Sequence, residues 1–165
     1  NRELVKKIKF LLSKLKQKND TFVHRDFHVS NLMMFKNRYG VIDTQDAVVG
    51  NKSYDLVSLI DDVRFKTSKK LKKQVFEFYL NINKKELNLQ KFKNDFDILS
   101  VLRNLKIIGI FTRLAKRDKK YNYLKFIPYT WKLIELRISN NFLLKDLKIF
   151  LYKNFSKKIR NNNGN

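Results

Sequence analysis

The chain has 165 residues, 43% hydrophobic and 13% aromatic, which is enough to bury the core of one domain, and its four Gly and one Pro exclude a collagen-like repeat, a Pro-rich linker or a disordered tail as its main character. It has no cysteine, which excludes disulfides, thiolate metal sites and cysteine nucleophiles, and its apolar runs fall short of the roughly 20 residues that cross a bilayer. The net charge is +22, from 37 Lys and Arg against 15 Asp and Glu. Lysine is spread through nearly every segment, so the charge reads as a solvated basic surface more readily than as a nucleic-acid face, while leaving a nucleic-acid partner open. The chain starts at Asn1 and not at methionine, as expected for a fragment or a processed product.

Residues 2–18 read as an amphipathic helix, with Leu4, Ile8, Leu11, Leu12 and Leu15 at helical spacing. Thr21–Val23 and Leu32–Phe35 read as short strands. Lys36–Gly40 has turn chemistry, and Val41-Ile42 forms a third strand leading into Asp43. From Ser53 onward the pattern is helical. Ser53 is placed as an N-cap, a basic helix spans about 68–80, a long helix about 89–116 and a last helix about 142–154; Pro128 sits in the first turn of a helix through Trp131. No repeat or linker is visible, so one domain is expected. The fold class is α+β, mainly α.

One short stretch carries chemistry: His24-Arg25-Asp26-Phe27-His28-Val29-Ser30-Asn31, then Ile42-Asp43. An Asp at a strand end, an Asn five residues on and an Asp after the next hairpin suit phosphoryl transfer, which needs positioning and charge neutralisation more than covalent help. Asp26 can orient an acceptor hydroxyl and take its proton. Mg²⁺ wants hard oxygen ligands and keeps several waters, so Asn31 and Asp43 suffice as its protein ligands. The bland alternative is turn chemistry, where Asp and Asn are common.

His24-Arg25-Asp26 with Asn31 resembles the catalytic loop of the protein-kinase-like superfamily, and His28 resembles its aminoglycoside phosphotransferase and choline kinase branch. Gly40–Ala47, Gly50, Tyr54–Leu59, Arg103–Leu114, Arg117-Asp118, Tyr123-Leu124 and Pro128 are similar to the bacterial anomeric sugar kinases. Those enzymes phosphorylate N-acetylmuramate and N-acetylglucosamine at the anomeric carbon in cell-wall recycling. The resemblance covers roughly residues 21–135. It implies a cytoplasmic, ATP- and Mg²⁺-dependent phosphotransferase whose partners are ATP and a small-molecule acceptor such as an amino sugar, with no membrane. It implies Asp26 as the base, Asn31 and Asp43 as metal ligands, and His24, Arg25, His28 and Asp55 as support for the loop. Asp46, Arg113 and Arg117 are candidates for substrate binding; for the two arginines the alternative is a solvated basic face. Thr44 departs from the usual Phe after the metal aspartate, and Asn51 from the usual Pro after Gly50.

No Gly-rich loop and no phosphate-holding lysine can be assigned before His24. The expectation is therefore a C-terminal lobe of a protein-kinase-like fold over residues 1–160, a small β hairpin element carrying the catalytic loop packed on a helical bundle. The ATP-cradling lobe is expected to be absent from the chain and residues 161–165 to be a disordered tail. Such a lobe alone is expected to be inactive. The alternative is a non-catalytic basic binding module, either a degenerate kinase lobe or an RNA-associated protein.

Overall fold

The computed structural model describes residues 2–161, so the tail expected at 161–165 lies outside them apart from Asn161. The chain is mainly helical with two small antiparallel sheets. Helix α1 spans Arg2–Ser13. The strands are β1 (Asn19–Val23), β2 (Leu32–Phe35), β3 (Arg38–Val41) and β4 (Val48–Asn51). Helices follow as α2 (Ser53–Ile60), α3 (Lys69–Ile82), α4 (Leu89–Asp118), α5 (Ile127–Ile138), α6 (Lys145–Asn154) and α7 (Lys157–Arg160).

The described residues fall into two compact units. One comprises 2–15 with 97–161, the other 16–96. In the first unit α1 packs against α6 and α5 against α7. Its core holds Leu11, Phe111, Trp131, Ile134, Leu147 and Leu151, all buried. Pro128 stands in the first turn of α5, where its missing N–H costs nothing. No helix among the described residues is long and apolar enough to cross a membrane.

The second unit carries both sheets. Its core is aromatic. Phe76 on α3 meets Phe96 edge-on at 4.9 Å, and Tyr79 stacks on Phe92 at 5.4 Å. Ser68, read from the sequence as the first residue of this helix, instead caps α3, its hydroxyl accepting the Leu71 amide at 3.1 Å. A buried ion pair, Lys72 Nζ to Asp61 at 3.1 Å, ties α3 to the end of α2.

Several local expectations are corrected. The first helix ends at Ser13 and not at 18, because the Lys16 and Gln17 amides leave the helical ladder. They donate to the Asp95 carboxylate at 2.7 to 3.0 Å. The third strand is Arg38–Val41, not Val41-Ile42. Only Lys36 and Asn37 turn the hairpin, both at positive φ (43° and 59°), the geometry that matches strand twist in a two-residue turn. A fourth strand, unforeseen, pairs with β1: Thr21 faces Gly50, Phe22 faces Val49 and Val23 faces Val48. A Cβ on Gly50 would stand 3.2 Å from Val23 Cγ2, so glycine lets these strands close.

Asp95 is the hub of this unit. It is buried, and besides Lys16 and Gln17 it accepts from Asn51 Nδ2 at 2.8 Å and Asn94 Nδ2 at 3.0 Å. Asn51 in turn accepts the Ser53 amide on its Oδ1 at 3.0 Å. Ser53 is thus the first helical residue and not the cap; the capping acceptor comes from Asn51. Removing a buried acceptor strands every donor it served. Asp95→Ala is expected to lower the unfolding free energy by about 3 kcal/mol or more, read by urea denaturation; a loss below about 1 kcal/mol would show that the donors find water instead.

Candidate active site

The site is built from the 24–31 loop, the 42–47 turn and the first turn of α2, all in the unit of residues 16–96. β1 delivers the chain to His24, which is buried. There α2 takes hold of it. The Asp55 carboxylate, in the first turn of α2, accepts the His24 amide on Oδ2 at 2.7 Å and the Arg25 amide on Oδ1 at 3.0 Å. Both oxygens are engaged by successive backbone groups, which fixes the direction in which the loop leaves the strand. Arg25 adopts φ 74°, a left-handed conformation disfavoured for a side chain with a Cβ and sustained only by its surroundings.

His24 fastens the second side of the loop. Its Nδ1 accepts the Asp26 amide at 3.3 Å, so its Nε2–H donates to the Ile42 carbonyl at 2.9 Å. The ring thereby links the loop to the residue before Asp43. Two tight turns follow: the His28 amide donates to Asp26 O at 3.0 Å and the Asn31 amide to His28 O at 2.9 Å. Asn31 Nδ2 returns to Asp26 O at 3.0 Å, and the Ile42 amide donates to Asn31 O at 3.1 Å. Asp26, Asn31 and Asp43 are thus joined through the backbone at one edge of the β2–β3 hairpin. Asp43, like Arg25, is left-handed, with φ 68°.

What these side chains offer is oxygen. The Asp26 and Asp43 carboxylates are exposed and take no hydrogen bond or ion pair from the described residues. Asn31 has committed its amide nitrogen, which leaves Oδ1 as an acceptor. Among the described residues no three His, Cys, Asp or Glu side chains converge as metal ligands. Asn31 Oδ1 and the exposed Asp43 carboxylate would offer a divalent ion two hard oxygen donors with one full charge. That donor set fits Mg²⁺, which keeps waters and takes phosphate oxygens for its remaining positions.

The other candidates are placed as follows. His28 is buried within the loop. Asp46 is exposed, and its carbonyl accepts Arg25 Nη1 at 3.3 Å, which ties the 42–47 turn to the loop. Arg113 and Arg117 lie on α4 in the unit of 2–15 with 97–161, not in the unit that carries the loop. Arg113 is exposed. Arg117 forms a two-pronged pair with Asp118 at 2.6 and 3.0 Å. That hydrogen bonding raises the Arg117 guanidinium further and holds the Asp118 carboxyl below its usual range. Tyr79 is pushed up by burial first and by the Asp55 charge second, so its phenol stays neutral under the anchoring carboxylate.

Asn51 and Asp95 were not foreseen as supports. The signal for Asp95 was present: an acid at a core position, between Phe92 and Phe96 on one side and Ile98 and Leu99 on the other, implies a buried carboxylate with dedicated donors. Asn51 was visible only as a substitution for an expected Pro.

A model of a phosphotransferase enzyme family matches residues 2–89. Among curated proteins, the N-acetylmuramate/N-acetylglucosamine kinase of Caulobacter vibrioides is 34% identical over 120 residues, 70% of this chain and 33% of the relative. The protein of the same name from Neisseria meningitidis serogroup B is 38% identical over 123 residues, 72% of this chain and 37% of the relative. That from Pseudomonas aeruginosa is 31% identical over 131 residues, 76% of this chain and 39% of the relative. The chain thus spans between 33 and 39% of the length of these relatives.

If Asp55 holds the loop, its removal should free the loop before it frees the core. In Asp55→Ala, amide hydrogen exchange at His24 and Arg25 is expected to rise by about ten- to a hundredfold, the equivalent of roughly 1.5–3 kcal/mol for bonds to a charged acceptor. The α4 amides near Phe96 should keep their protection. Unchanged exchange at His24 and Arg25 would mean that the loop is held by something else.

Proposed function

We propose, since the chain belongs to the phosphotransferase enzyme family, that it is the catalytic lobe of an ATP-dependent kinase acting on the anomeric hydroxyl of an amino sugar, in the cytoplasmic recycling of cell-wall sugars. The sugar is taken from the relatives, which are named for N-acetylmuramate and N-acetylglucosamine. The observation that carries the reading is that Asn31 is hydrogen-bonded both to Asp26 and to Ile42, the residue before Asp43, while the Asp26 and Asp43 carboxylates stay exposed and take no donor from the described residues. A purely structural arrangement has no need of an unpaired acid on each of two segments tied together by so many backbone bonds.

In this reading Asp26 accepts the proton of the acceptor hydroxyl as its oxygen bonds to the γ-phosphorus and ADP departs. Asn31 and Asp43 would hold Mg²⁺, which supplies charge neutralisation to the phosphates. His24, Arg25, His28 and Asp55 keep Asp26 in place. Asp46, in the same unit as the loop, is proposed on the acceptor side. Residues 1–160 are proposed as the C-terminal lobe, with the nucleotide cradle supplied by further polypeptide. In support, Met34, Phe35 and Tyr39 on the β2–β3 hairpin are 70, 71 and 80% exposed, apolar surface of the kind a covering lobe buries.

In the complete enzyme, Asp26→Asn is expected to lower kcat by about 10²- to 10⁴-fold with little change in acceptor KM; near-full turnover would remove Asp26 from the base role. Asp43→Ala should raise the Mg²⁺ requirement steeply or abolish activity, because it removes the full charge of the ligand pair. An unchanged Mg²⁺ titration would refute the metal assignment. Residues 1–165 alone are expected to release no ADP above background in a coupled assay with Mg-ATP and N-acetylglucosamine. Steady turnover by this chain would contradict the catalytic-lobe assignment.

A further inference from the structure

A cavity of about 160 Å³ opens beside the catalytic loop, within the unit of residues 16–96. Val29 forms its loop-side wall; Phe65, Leu71 and Val75 line the rest with the end of α2. The two polar lining side chains, Thr67 and Lys72, are committed elsewhere. Thr67 Oγ1 donates to Ile60 O at 3.3 Å, and Lys72 Nζ donates to Ile60 O and to Asp61. What the cavity presents is carbon. Its rim is open, with Val29 and Leu71 each 42% exposed.

The place of this cavity gives it meaning. Val29 follows Asp26 by three residues, which even fully extended span about 11 Å. The two turns at His28 and Asn31 shorten that further. On a hexosamine the reacting anomeric oxygen and the nitrogen-borne substituent sit on adjacent ring carbons. That spacing allows an acceptor with its hydroxyl at Asp26 to place its N-acyl group at Val29. We propose that this cavity seats the N-acyl substituent of the acceptor, and that Val29, Leu71 and Val75 select acylated sugars over plain hexoses. The proposal rests on the amino-sugar kinase reading and names the part of the chain that reads the acyl group.

The test uses the 165-residue chain labelled with ¹⁵N and with ¹³C at the Val, Leu and Ile methyls, titrated separately with N-acetylglucosamine and with glucose. Both sugars are neutral, so the positive charge of the chain does not separate them. Saturable shifts of the Val29, Leu71 and Val75 methyls are expected with N-acetylglucosamine, at a Kd roughly five- to tenfold lower than for glucose, the worth of burying about one methyl-sized group. Leu71→Trp, which fills the cavity from its rim, should bring the two affinities together; if that variant does not fold, the comparison on the unaltered chain decides alone. Equal affinities, or shifts confined to the Asp26 and Asn31 amides, would overturn the acyl pocket and leave the sugar reading standing. Silence of both methyls and loop amides towards both sugars would also overturn it, and turnover of the complete enzyme would then judge the sugar reading separately.

Discussion

A single carboxylate holds the loop on which the candidate site depends. Asp55 gives one oxygen to the His24 amide and the other to the Arg25 amide. A residue at φ 74° does not stay there unaided; the left-handed well costs a non-glycine residue of order 1 kcal/mol or more. Two hydrogen bonds to a charged acceptor offset that cost. Asp55 is itself fixed, because α2 begins where Asn51 and Asp95 make it begin. A line of hydrogen bonds therefore runs from a buried acid in the core, through Asn51 to the Ser53 amide, and from α2 through Asp55 to the loop that presents Asp26.

That arrangement divides the acids of this unit by task. Asp95 and Asp55 are used up by internal donors and shape the backbone. Asp26 and Asp43 take nothing from the described residues and face solvent. In a chain with a net charge of +22, carboxylates without a cationic partner are a specific placement and not a default, since lysine is abundant in nearly every segment. The same separation holds for polar groups around the neighbouring cavity, where Thr67 and Lys72 turn their heads into the wall and leave the opening apolar.

Local chemistry was legible in the sequence wherever it is settled within a few residues. The strand Leu32–Phe35, the basic helix near 68–80, the long helix α4 and the place of Pro128 all follow from spacing and residue type. Family membership was legible from the ordered pattern His24 to Asp43 and Tyr54 to Leu59. What was not legible is pairing across distance. β4 is short, and its partner lies about thirty residues earlier in β1, so nothing in Val48–Asn51 announces it. The early end of α1 is likewise decided by Asp95, far along the chain, which captures amides that would otherwise continue the helix. Helix propensity at Leu15 and Lys16 loses to a charged acceptor with excellent geometry.

The account turns on whether Asp26, Asn31 and Asp43 form one oxygen site. Paramagnetic broadening of backbone amides by Mn²⁺, added below stoichiometry to the ¹⁵N-labelled chain as a stand-in for Mg²⁺, tests this directly. The expected result is broadening concentrated at Asp26, Asn31, Asp43 and their immediate neighbours, lost in Asp43→Asn. Broadening shared evenly with exposed acids elsewhere, such as Asp20, or a pattern that survives Asp43→Asn, would contradict it.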